Sequence, residues 1–163
     1  MFNRNKKDRR NRNNKGFSLV ELIVVIAIMA VLVAVLAPQF TKYIDQSRKS
    51  NDAATVSGIV TAAQVGIADT TNYNIAEGEY KIIVNETETD VTGTSATEME
   101  KAIIAACGEL NTLKITSKNW ATEDASGNMG DNQIVVTLNY NNGAVTVTYE
   151  GKFDAYVNGT TTP

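Results

Sequence analysis

The chain has 163 residues, 15 Lys+Arg against 18 Asp+Glu, no His and one Cys. A hydrophobic share of 43% permits a packed core, and the length suits one domain with an appendage. Without His the commonest acid–base group and metal ligand are missing; a single Cys excludes an intrachain disulfide and any zinc site of several thiolates.

Charge is segregated along the chain. Residues 1–16 carry seven bases (Arg4, Lys6, Lys7, Arg9, Arg10, Arg12, Lys15) and one acid, Asp8, a net of +6; the remainder carries −9. A basic head on an acidic body predicts two compartments. A nucleic-acid-binding arm is disfavoured, because the head has only Phe2 to stack on a base and an apolar run follows at once. No specific nucleic-acid partner is expected for the acidic body.

From Leu22 to Ala37 sixteen residues pass without a polar side chain. Extended back to Phe17, the run makes a helix of about 31 Å, one hydrocarbon thickness. It is apolar on every face, so lipid or a helical bundle must surround it. The N-terminal bases predict a cytoplasmic N-terminus and an external body. An ordinary cleaved secretory signal fits poorly: a cut after Ala37 would abut Pro38, and Glu21 sits where such signals are apolar.

Glu21 is the anomaly, because a carboxylate at the start of a span carries a cost that falls toward the interface. In the first helical turn the helix dipole favours it. Its context is Lys15-Gly16-Phe17-Ser18-Leu19-Val20-Glu21 followed by unbroken aliphatics. This segment resembles the precursor motif of type IV pilins: a short basic leader ending in Gly, a hydrophobic residue after the cut, and Glu at the fifth mature position. Pro38 falls at mature position 22, where family members commonly carry Pro.

The resemblance implies the following. A prepilin peptidase removes residues 1–16 by cutting between Gly16 and Phe17, and Phe17 is N-methylated. The mature subunit waits as a single-pass membrane protein surrounded by lipid. A membrane platform protein and an assembly ATPase then draw it into an extracellular filament of identical or related pilin subunits, for adhesion, motility or aggregation. Glu21 is expected to pair with the Phe17 ammonium of a neighbour and set the stagger of packed helices, or with its own Phe17 amine one turn away. No cofactor, metal or catalytic residue is implied. The implied fold is α+β, the type IV pilin fold: a long N-terminal helix, its hydrophobic half protruding, on a small antiparallel sheet. The missing disulfide resembles Gram-positive pilins. A pseudopilin of a secretion or DNA-uptake system shares the motif, and a membrane-anchored binding domain is the rival of a different class.

The expected organisation is a leader at 1–16, a transmembrane and assembly helix at 17–38, its amphipathic continuation at 39–68 and a globular domain at 69–163. Val56, Ile59, Val60, Ala63 and Ile67 form one buried helical stripe, after a wetter stretch holding Lys42, Asp45, Arg48, Lys49 and Asp52. Pro38 is expected to kink or loosen the helix, and Gly58 and Gly66 to weaken it or permit close packing.

Further on, Tyr80–Val84 reads as a short strand in a long polar connection. Ser95 and Glu98 read as a capping box opening a helix over 96–107 that Gly108 ends. Leu113–Thr116 reads as a strand. QIVVTLNY and AVTVTYEG about Asn141-Asn142-Gly143 read as a hairpin, with a last short strand near Phe153 and Tyr156. Glu86, Glu88 and Asp90 read as a solvated charge run. Asp124, Ser126, Asn128 and Asp131 fail the calcium-loop pattern at Met129 and Val135. Trp120 reads as a core plug and Cys107 as a buried small hydrophobe.

Overall fold

A computed structural model describes residues 17–121 and 130–159. The chain divides into two compact units at the Thr41–Lys42 junction. One helix, α1 (Leu19–Ala68), has residues in both.

In the first unit α1 is a helix without cover. Every described residue from Phe17 to Thr41 is exposed, including Leu22, Ile26, Val33 and Leu36. The helix continues through Pro38. Proline has no N–H to give the carbonyl of Ala34, one turn earlier. The Pro38 carbonyl is itself doubly served, since Thr41 Oγ1 donates to it at 3.0 Å.

In the second unit the rest of α1 turns amphipathic. Val56, Ile59, Val60, Ala63 and Ile67 are all buried, the stripe expected from their spacing, and Ala62 and Gly66 join them. Each fully buried Val or Ile contributes about 1.5–3 kcal/mol of transfer free energy. Beyond the helix end, the Asp69 carboxylate accepts the N–H groups of Thr71 and Asn72, at 3.3 and 3.2 Å, and turns the chain.

Four antiparallel strands form one sheet, in the order β2-β1-β3-β4: β1 (Gly78–Val84), β2 (Thr89–Gly93), β3 (Ile134–Asn141) and β4 (Ala144–Tyr149). Its inner face presents Tyr80, Ile82, Val84, Val91, Ile134, Val136 and Leu138 to the α1 stripe in a single core. The β3–β4 connection is the two-residue Asn142-Gly143, with φ of 50° and 74° at the two positions. Positive φ at both central residues is what a type I′ hairpin requires, and Asn-Gly meets it at least cost.

Helix α2 (Ala96–Cys107) presses Met99, Ala102 and Ile103 into the same core and stops at Gly108, whose N–H donates to the Ile104 carbonyl at 2.9 Å. α2 lies close to α1 because Gly66 has no side chain; a Cβ there would stand 2.4 Å from Cβ of Ala102.

Five expectations need correction. Ser95 makes no side-chain cap. Its hydroxyl accepts the Ala76 N–H, and Glu98 pairs with Lys101 at 2.7 Å, so both members of the expected capping box are taken by other partners. The connection after β1 contains a second strand, β2, on which Asp90 is exposed and Val91 buried. Leu113–Thr116 is irregular and is held at one point, where the Ile115 N–H donates to the Asn85 carbonyl. Phe153 and Tyr156 lie on a helix, α3 (Gly151–Asn158). Asp52, read as part of a wet stretch, is 1% exposed.

The two helical glycines of the body should respond oppositely to alanine. Gly58 has nothing within 4 Å of an added Cβ, so Gly58→Ala should stabilise the detergent-solubilised chain by up to about 1 kcal/mol. Gly66→Ala should destabilise it by about 1–3 kcal/mol despite the same propensity gain, because Ala102 is backed by the core. Urea denaturation monitored by circular dichroism measures both.

Candidate functional site

The first candidate site is the start of α1. Phe17 is 93% exposed. Ser18 precedes the first helical residue, and its carbonyl accepts the Leu22 N–H at 3.2 Å. The Ser18 N–H donates to Glu21 Oε2 at 2.9 Å, and the Val20 N–H lies 3.4 Å from Ser18 Oγ. This is a capping arrangement of the S-x-x-E kind, in which the third helical residue reaches back to the cap. Glu21 therefore satisfies an orphan donor and sits at the positive end of the helix dipole. The sequence reading placed such a box at Ser95–Glu98 and missed it here, although Ser18 and Glu21 show the same spacing before an apolar run. Gly16, and with it the bond to Phe17, lies outside the described residues.

The second site is a carboxylate cluster on the body part of α1. Asp52 Oδ1 accepts the Thr116 N–H at 2.7 Å and its hydroxyl at 2.9 Å. Oδ2 accepts the Ser117 N–H at 2.9 Å and Nε1 of Trp120 at 2.7 Å. Four donors on one carboxylate satisfy it fully, which is the condition for keeping a charge in the interior. Two turns before it, Asp45 accepts the Ser117 hydroxyl at 3.1 Å and meets Lys49 at 3.5 Å. Burial pushes the Asp45 carboxyl up, but hydrogen bonds from Asn119 and Ser117 and the Lys49 charge outweigh it, so it sits below its ordinary 3.8.

Trp120 is 3% exposed, the expected core plug. Phe153 and Tyr156 of α3 meet its ring edge-on, with centroids 5.2 and 5.5 Å away, and Lys49 Nζ lies 5.5 Å from its centroid. Asn132 ties down the same segment: Oδ1 accepts the N–H groups of Trp120 and Ala121, and Nδ2 donates to the Ser117 carbonyl and to Glu86. Glu86 is thus exposed but engaged. Cys107 is half-buried against the core. No group of three or more Cys, Asp or Glu able to hold a metal occurs among the described residues; Asp124, Ser126 and Asn128 lie outside them. The arrangement is chemically quiet: it fastens an irregular segment, residues 115–121, to a helix.

Residues 11–37 match a family model described as a prokaryotic N-terminal methylation motif. No curated protein and no solved structure is significantly similar to the chain. The motif and the pilin-like fold point to a structural subunit and not to an enzyme. An apolar helix long enough to cross a bilayer, carrying this motif, fits a single-pass membrane precursor.

Asp52→Ala would strand four donors, two of them backbone N–H groups. It should cost the body on the order of 3–5 kcal/mol and change the fluorescence of Trp120, the only tryptophan. The Asp45 effect has the opposite pH sense from a basic group. A carboxyl held low in the folded state adds stability above its unfolded value and loses it as pH falls through the lower folded one. Asp45→Asn should therefore flatten the loss of stability below about pH 4, measured by thermal melts across pH.

The chain carries the N-terminal methylation motif that is the class III signal peptide of type IV pilins, joined to an α+β body consistent with the type IV pilin fold.

Proposed function

We propose that the chain is the precursor of a type IV pilus subunit. A prepilin peptidase cuts between Gly16 and Phe17 on the cytoplasmic side, and the new Phe17 amine is methylated. The observation that carries this reading is the methylation motif at residues 11–37 leading into a helical segment, Phe17–Thr41, every described residue of which is exposed. Such a helix is stable in lipid or among copies of itself, and a filament subunit needs both in succession. Removing a leader of net +6 lowers the electrostatic cost of drawing the N-terminus out of the cytoplasmic leaflet. A membrane platform protein and an assembly ATPase supply the work of extraction.

Glu21 then acts as a register device. In the capping arrangement its Oε2 faces the Ser18 N–H, one residue from the amine that cleavage creates. The carboxylate pairs with that ammonium in its own subunit or in a neighbour. In a dry bundle, leaving either charge unpaired costs several kcal/mol, so the pairing selects one stagger. Pro38 marks the end of the segment that lipid or neighbouring helices must cover. The acidic, Thr- and Asn-rich body makes the filament's outer coat.

Mass spectrometry of the N-terminal peptide from membranes of peptidase-positive cells tests the reading. The expected result is a chain beginning at methylated Phe17; a mature chain that still begins at Met1 would refute it. Gly16→Leu should keep the leader attached. Glu21→Val should be processed normally yet give sheared filament at a tenth of wild-type yield or less, scored by electron microscopy. Long surface fibres speak for a pilin, and short polymers confined to the envelope for a pseudopilin.

A further inference from the structure

The sheet has two edges, and they are built differently. The β2 edge is short, carries Asp90 and ends at Gly93. It is also covered: Thr89 Oγ1 donates to the Leu113 carbonyl, and Ile115 N–H to the carbonyl of Asn85 just beyond β1. Charge and cover of this kind are the usual protection of a sheet edge.

Among the described residues the β4 edge has neither. Its six residues, Ala144-Val145-Thr146-Val147-Thr148-Tyr149, contain no charge, proline or glycine. The direction of its backbone groups follows from the ladder. The two-residue turn pairs Asn141 with Ala144, and the register continues through Asn139–Thr146 and Thr137–Thr148. The Glu150 N–H donates to the Val135 carbonyl, one step further in the same alternation. The even-numbered residues therefore aim their N–H and C=O groups at β3. Val145, Val147 and Tyr149 aim theirs away from the sheet, and none of these groups has a backbone partner among the described residues. The side chains of the same three residues lie on the inner face, half-buried against the rim of the core.

We propose that β4 pairs antiparallel with β4 of a second copy of this chain, about a two-fold axis through Val147. In that register Val145 faces Tyr149 of the other copy and Val147 faces its equivalent, so all three outward residues exchange hydrogen bonds. No like charges meet along the pair, whereas two β2 strands would bring Asp90 residues together. The half-buried row Val145, Val147 and Tyr149 gains cover on its open side. A six-residue strand buries much less than a standard stable interface, so a single pairing is weak. The proposal rests on the filament reading for its setting: along two filaments lying side by side the contact repeats, and repetition converts weak pairing into lateral bundling.

The test separates the contact from the filament. Full-length chain carrying Val147→Cys and Cys107→Ala, in detergent micelles, is treated with a short bis-maleimide and the linked peptides are sequenced. A dimer linked between the two position-147 thiols is expected. Adding Thr146→Lys and Thr148→Lys, which sit on the solvent face and leave the β3 ladder intact, should reduce it at least tenfold. Val147→Pro, in a chain without the cysteine, removes one outward N–H; it should leave Trp120 fluorescence unchanged and disperse wild-type filament bundles into single fibres. A link from position 147 to any residue outside β4, a dimer indifferent to the lysines, or bundles that persist in the proline variant would overturn the pairing. Absence of filaments in wild-type cells, with the β4 link still formed in micelles, would count against the pilin reading alone.

Discussion

The molecule is governed by an apolar helical segment that no described residue of its own chain buries. From Phe17 to Thr41 every described residue is exposed, and the run from Leu22 to Ala37 has no polar face to turn toward water. Burying that surface is worth tens of kcal/mol at about 25 cal/mol per Å², more than the net stability of a domain. Whatever surrounds the helix therefore dictates where the chain can live. Lipid satisfies it, and in the proposed filament other apolar helices would replace lipid with little net change in hydrophobic free energy. In that proposed assembly, polar contacts would decide among packings of near-equal energy. Glu21 lies at the start of that segment, where the Ser18 N–H donates to its carboxylate and holds it at the helix end.

The body solves a different problem. An antiparallel sheet covered on one face by part of α1 and by α2 leaves residues 113–121 irregular, and with one cysteine no intrachain disulfide can hold them. Asp52 does so instead. It donates nothing and accepts four hydrogen bonds, three from the backbone and side chains of Thr116 and Ser117 and one from Trp120. Asn132 repeats the device from the other side with two acceptor and two donor contacts. Polar staples of this type are strong only when complete, since each lost partner leaves a desolvated charge or donor behind. Trp120, held by its indole N–H, then supplies the aromatic surface on which α3 closes through Phe153 and Tyr156.

Much of this was legible in the residues. The apolar stripe of α1, the stop of α2 and the Asn142-Gly143 hairpin each follow from a local rule: a helical period, a Gly stop, a turn that needs positive φ twice. The misreadings share a cause. Ser95-x-x-Glu98 has the spacing of a capping box, but Ala76 and Lys101 compete for the same side chains and win. Phe153 and Tyr156 alternate too loosely to distinguish a strand from a short helix, and the rings of Trp120 and Tyr149 decide it. Asp52 sits among charged neighbours in the sequence, and nothing local shows that donors some 64 residues away converge on it.

Sequence alone marks the N-terminal methylation motif and the apolar run, because there the controlling physics is one-dimensional. The length of an apolar run, the side on which the bases lie and the spacing Gly16-Phe17-Glu21 are properties of order along the chain, and no tertiary contact is needed to give them meaning. Tertiary structure alone decided the fate of the polar residues of the body. Whether an Asp is solvated or buried depends on where distant donors are brought, and which sheet edge stays open depends on the strand order β2-β1-β3-β4 and on the cover over β2. Those are outcomes of packing in three dimensions, and local spacing does not encode them.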